Sequence, residues 1–91
     1  MKICIVGGGS SGWMTAAAFA KRFPHYDIQV IEDPDTKPLS VGESTLGHFN
    51  RYLDCIDVKD TDWMKDCNAT YKLSIQFSNW KNGDSTDVFQ Y

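Results

Sequence analysis

The sequence predicts an α/β fold entered through a parallel β-α-β unit, and three observations carry that prediction. Ile3 to Val6 is a continuous apolar run, the composition of a strand covered on both faces. Trp13 to Phe23 contains Ala16, Ala17, Ala18 and Ala20, which are strong helix formers, and Pro24 ends it. Ile28 to Ile31 is a second apolar strand, closed by Glu32 and Asp33. A strand, a crossover helix and a parallel strand take about 30 residues and are nearly always right-handed.

Downstream the pattern changes. Pro34 and Pro38 mark residues 33 to 40 as a loop. Leu46, Phe49, Leu53 and Ile56 are spaced by 3, 4 and 3, which predicts a short helix with one apolar stripe, N-capped by Ser44 or Thr45. The acidic stretch from Asp57 to Asp66 predicts another short helix around Trp63 and Met64. Leu73, Ile75 and Phe77 alternate with Lys72, Ser74, Gln76 and Ser78, the period of a strand with one wet face. Asn82-Gly83 is a hairpin turn, so Asp87 to Tyr91 is expected to pair back. One β-α-β unit and a hairpin cannot cover both faces of a doubly wound sheet. Residues 1–91 are therefore expected to be the N-terminal part of one larger domain.

Composition narrows the function. Apolar residues are 42%, aromatics 13% and charged residues 23% of the 91, a globular balance. The net charge is 9 − 12 = −3 and no stretch clusters Lys with Arg, which argues against nucleic acid and anionic membranes as partners. The longest mainly apolar stretch, Trp13 to Ala20, is far short of the ~20 residues that span a bilayer, and Gly7 to Gly12 interrupts any secretory signal. Cys4, Cys55 and Cys67 form no C-x-x-C pair, so a reducing, cytoplasmic setting is expected and Cys4 reads as a core thiol. His25 and His48 are isolated, which argues against a metal site. Trp13, Trp63 and Trp80 read as packing residues.

The strongest motif is Gly7-x-Gly9-x-x-Gly12, placed between the first strand and the first helix. In that context Gly7 permits the tight turn, Gly9 lets a diphosphate approach the backbone, and Gly12 lets the helix pack on the sheet. The helix N-terminus offers free N–H groups and a positive dipole end to the phosphates. Glu32, 20 residues past Gly12, ends the second strand and can accept hydrogen bonds from ribose hydroxyls. A carboxylate there repels a 2′-phosphate. The unit thus reads as Rossmann-like and dinucleotide-binding; the competing reading is a glycine-rich turn with no ligand. Val41-Gly42-Glu43-Ser44-Thr45 reads on its own as a capping segment. Lys72 reads on its own as a solvated lysine on the polar strand face, since a catalytic lysine needs desolvation or held neighbours.

Four stretches together are similar to one family. They are Ile5-Val6-Gly7-Gly8-Gly9-Ser10-Ser11-Gly12-Trp13-Met14, Val41 to Thr45, Asp62-Trp63-Met64 through Cys67 to Lys72, and Ile75 to Trp80. In order and spacing the chain resembles the N-terminal portion of a flavin-dependent halogenase of the tryptophan halogenase type. The resemblance implies FAD used in its reduced form, brought by diffusion from a separate flavin reductase. It implies that reduced FAD, O2 and a halide yield hypohalous acid, which a lysine presents to an electron-rich aromatic substrate. Lys72 falls on that lysine's place. Gly9, Ser10, Ser11 and Gly12 fall on the FAD diphosphate site, Glu32 on the ribose site, and Leu39, Val41, Glu43 and Ser44 on the flavin-facing loop. The implied architecture is an FAD-binding β-α-β unit followed by short helices and a β-hairpin, part of a larger flavin monooxygenase-like fold.

The chain departs from the family pattern at Gly47, where a proline is common, and at Ser44, where alanine is common. The family's W-x-W-x-I-P segment and the glutamate that assists the lysine do not occur in these residues. The 91 residues alone are therefore expected to be inactive. The alternatives are another FAD-dependent oxidoreductase or monooxygenase, and a non-catalytic nucleotide-binding fragment.

Overall fold

The computed structural model describes residues 1–37, 41–80 and 88–90. Strand β1 (Lys2–Val6) leads through the glycine turn into helix α1 (Ser10–Arg22), and strand β2 (Asp27–Ile31) returns beside β1. The two strands pair in parallel with Lys2 opposite Asp27 and Val6 opposite Ile31. The Gly7 N–H donates to the Ile31 carbonyl at 2.8 Å, which carries the pairing one step into the turn. The Lys2–Asp27 ion pair at 3.6 Å closes the other end, but it is exposed and contributes little to stability.

Helix α1 begins three residues earlier than the alanine run alone predicts. Gly9 is its N-cap, with an extended backbone and no side-chain cap. Lys21 and Arg22 in the last turn complement the negative end of the helix dipole. The chain leaves the helix at Phe23, one residue before Pro24. Phe23 packs edge-on against Phe19 and stacks on Tyr26, which turns the chain back toward the sheet.

Helices α2 (His48–Cys55) and α3 (Asp60–Trp63) follow, and strands β3 (Gln76–Ser78) and β4 (Val88–Gln90) pair antiparallel. Among the described residues only Ala16 of α1 and Leu53 of α2 are buried. Two polar ties bind α2 to α1. The Tyr52 hydroxyl donates to the Met14 carbonyl at 2.9 Å, and Lys21 pairs with Asp57 just past the end of α2. In the hairpin Phe77 stacks on Phe89, its cross-strand partner, at 4.9 Å between ring centres.

Several sequence expectations change here. Strands β1 and β2 are half-covered rather than buried on both faces: Ile3, Ile5, Ile28 and Val30 face inward, while Cys4, Val6 and Ile31 are exposed. Helix α1 covers one face, and no described element packs on the other. For the same reason Cys4 is not a core thiol. Ser44 and Thr45 do not cap α2, whose N-cap is Gly47 with no side-chain bond. The apolar stripe holds at Leu53, Phe49 and Ile56, but Leu46 precedes the helix and is exposed. The strand expected from Lys72 onward is regular only at Gln76–Ser78; residues 71 to 75 pair with no neighbouring strand, and Leu73 is wholly exposed. Trp13 and Trp80 are more than half exposed, whereas Trp63 packs edge-on against Phe49. The Asn82-Gly83 turn lies outside the described residues.

Candidate dinucleotide site and lysine groove

The glycine turn assigns each glycine a different task. Gly7 has φ +121°, a conformation that side chains rarely allow. A Cβ on Gly12 would overlap the Gly7 carbonyl oxygen, so helix and turn meet with no space between them. Gly9 is different: its φ is an ordinary −79°, and a Cβ there would meet nothing within 4 Å. No protein atom requires a glycine at that position. The open space lies at the start of α1, whose first turn carries no acid and whose first N–H groups have no side-chain cap. That combination fits the diphosphate of a dinucleotide, which needs bare backbone and free N–H donors. Ser11 stands in the same first turn, and its carbonyl accepts from the Thr15 hydroxyl at 2.7 Å.

Glu32 follows β2 directly and lies over Gly8, where any Cβ would overlap its carboxylate oxygen and its own Cβ. Gly8 was not among the residues the motif singled out. It sits between two motif glycines, and only the fold shows that it makes room for Glu32. Asp33, next in the chain, is held below the usual carboxylate range by the Asp35 backbone N–H and then by the Thr36 hydroxyl. This fixes the turn that follows β2.

The loop of residues 41 to 46 comes back to the same helix end. Gly42 has φ +75° and reverses the chain. The Ser10 hydroxyl then donates to the Glu43 carboxylate at 3.0 Å. Two residues on, the Thr45 carbonyl accepts from the Lys72 ammonium at 2.7 Å. Ser10, Glu43, Ser44 and Lys72 line one open groove of about 1540 Å³, floored by Phe49, Tyr52 and Trp63. Val41 is exposed and outside the groove lining, and Leu39 lies outside the described residues. Burial raises the Tyr52 phenol above its ordinary value. In the same groove lining the Tyr71 hydroxyl donates to Asp60 at 2.7 Å, which raises the phenol through that hydrogen bond and then through the carboxylate charge.

The structure thus brings together Ser10, Glu43, Ser44 and Lys72, and it leaves Glu32 on the strand side of the turn, away from the groove lining. The sequence did not reveal the Thr45 carbonyl or Tyr71. The first is backbone and carries no residue signature. The second stands next to Lys72 but has no spacing that singles it out. Among the described residues no cluster of His, Cys, Asp or Glu is arranged to hold a metal, and no helix is long and apolar enough to cross a membrane.

A parallel β-α-β unit with this turn, this helix start and a carboxylate at the end of β2 defines a Rossmann-like region of an α/β protein. The tryptophan halogenase family model matches residues 2–91, and the chain belongs to that family. It is 40% identical to tryptophan 7-halogenase RebH of Lentzea aerocolonigenes over 88 residues, which is 93% of this chain and 17% of RebH. The solved apo structure of VirX1 superposes with a TM-score of 0.81 at 58% identity, covering 99% of this chain and 16% of VirX1. Tar14, a flavin-dependent tryptophan C-6 chlorinase of taromycin biosynthesis, superposes with a TM-score of 0.81 at 36% identity, covering 98% of this chain and 18% of Tar14. The chain spans about a sixth of the length of these relatives.

Proposed function

We propose that these residues form the FAD-diphosphate cradle and the lysine station of a cytoplasmic flavin-dependent halogenase acting on a small aromatic substrate. Reduced FAD, delivered by diffusion from a separate flavin reductase, supplies the chemistry that turns O2 and halide into hypohalous acid. The backbone N–H groups at Gly9, Ser10, Ser11 and Gly12 bind the diphosphate, and Glu32 accepts the ribose hydroxyls. Val41, Glu43 and Ser44 face the flavin.

Lys72 holds the oxidant. An ammonium has three N–H donors, and one is committed to the Thr45 carbonyl. Two remain to bond the oxygen of hypohalous acid, which draws electron density from the halogen and readies it for an electron-rich ring carbon. The observation that carries this reading is the shared groove: Lys72 and the Ser10–Glu43 pair at the helix start line one cavity.

The test is Lys72→Ala in the complete enzyme, assayed with reduced FAD, O2 and halide. Halogenation should vanish while FAD affinity stays within about twofold. A variant that still halogenates removes Lys72 from the reaction. Halide-independent hydroxylation by the parent enzyme would assign it to the monooxygenases instead.

A further inference from the structure

The stretch that carries Lys72 has no ladder to hold it. Residues 71 to 75 lie between α3 and β3, outside regular structure, and Tyr71, Lys72 and Leu73 are exposed. Two side-chain bonds to different elements tie it down. Tyr71 reaches to Asp60 in α3, and Lys72 reaches to Thr45 in the loop that also meets Ser10. The segment is slung across the groove between these two anchors, and both phenol and ammonium line it. A lysine has four rotatable side-chain bonds, so its ammonium keeps one place only where the backbone beneath it is fixed. The bond from Tyr71 fixes that backbone one residue away. Its acceptor is a carboxylate, which makes it stronger than a bond between neutral groups.

We infer that Tyr71 and Asp60 form a positioning pair for Lys72, setting where the ammonium meets hypohalous acid. The inference rests on the role proposed for Lys72. The pair touches neither flavin nor substrate; it acts through the lysine's backbone. Asp60 is itself seated in the first turn of α3, where a carboxylate is favoured.

The test uses the complete enzyme and four variants. Tyr71→Phe keeps the ring and removes the donor, Asp60→Ala removes the acceptor, and Asp60→Asn keeps an acceptor oxygen. The fourth combines Tyr71→Phe with Asp60→Ala. Tyr71→Phe and Asp60→Ala should each lower kcat by about tenfold, with KM for the aromatic substrate and FAD affinity unchanged. Asp60→Asn should restore most of the rate. The double variant should be no slower than either single one, because both changes break one bond. A second readout needs no turnover: labelling of Lys72 by an amine-reactive ester, measured against Lys65, should rise about fivefold in Tyr71→Phe as the ammonium is released from Thr45. Parent-like kcat and labelling in Tyr71→Phe, or losses that multiply in the double variant, overturn the pairing. Lys72→Ala serves as the control. If it keeps its rate, the role of Lys72 fails; if it is dead while Tyr71→Phe is unaffected, only the positioning pair fails.

Discussion

Gly9 and Gly12 sit three residues apart in one motif, yet alanine at each should produce opposite effects. At Gly12 a Cβ would overlap the Gly7 carbonyl oxygen, well inside the 3.0 Å that real Cβ contacts respect. Gly7 cannot readily retreat. Its φ of +121° leaves few neighbouring conformations, and its N–H is bonded to Ile31 at 2.8 Å. Helix α1 must therefore move off the turn, an overpacking that costs about 1–3 kcal/mol. At Gly9 the same methyl enters empty space from a φ of −79° that alanine accepts. Weaker N-capping by alanine costs about 0.5–1 kcal/mol, and the stiffer unfolded chain returns about 0.4–1 kcal/mol, so stability should be nearly unchanged.

Ligand binding reverses that order of severity. The Gly9 methyl would stand where a diphosphate approaches the helix start. Losing one charge-assisted bond, about 1.5–3 kcal/mol, weakens FAD binding by roughly 10- to 150-fold. The assay is a pair of measurements on the complete enzyme: denaturant midpoint and FAD titration. Gly12→Ala should shift the midpoint, whereas Gly9→Ala should keep it and lose affinity. Parent-like FAD affinity in Gly9→Ala would refute the placement of the diphosphate on this turn.

Two further outcomes follow from the ties between α1 and α2. Tyr52→Phe leaves the groove floor in place but removes the bond to the Met14 carbonyl, and should destabilise by about 1 kcal/mol in chemical denaturation. Asp57 is held below its usual 3.8 by its hydrogen bond with Lys21 and by that ammonium's charge. Its contribution is therefore present above the unfolded value and lost as pH falls through the lower folded one, so stability measured downward from about pH 4 should decline less steeply in Asp57→Asn than in the parent. The site is exposed, so added salt should shrink the difference.

How much of this could be read from the sequence depends on the range of the forces involved. The β-α-β unit was legible because each part is dictated locally: Ile3 to Val6 by its composition, α1 by its alanines and Pro24, the turn by Gly7 and Gly12. The strand ends differ by a residue, and α1 starts at Ser10 because Gly9 caps through backbone alone, which no side-chain signature announces. The capping role read into Ser44 and Thr45 failed for a physical reason. The helix begins only at His48 with Gly47 in the N-cap position, so Ser44 and Thr45 stand three and two residues too early for their hydroxyls to cap its first N–H groups. Alternation around Lys72 suggested a strand, but alternation reports only which side chains are apolar. It does not supply the neighbouring backbone that a ladder needs, and residues 71 to 75 have none among the described elements. The groove itself joins positions 33 and 27 residues apart through single hydrogen bonds. No periodicity encodes such pairs. What the sequence did carry was the chemistry of each partner, a hydroxyl, a carboxylate and an amine, and the fold decided that the first two would meet at the entrance of α1 and that the amine would line the same groove.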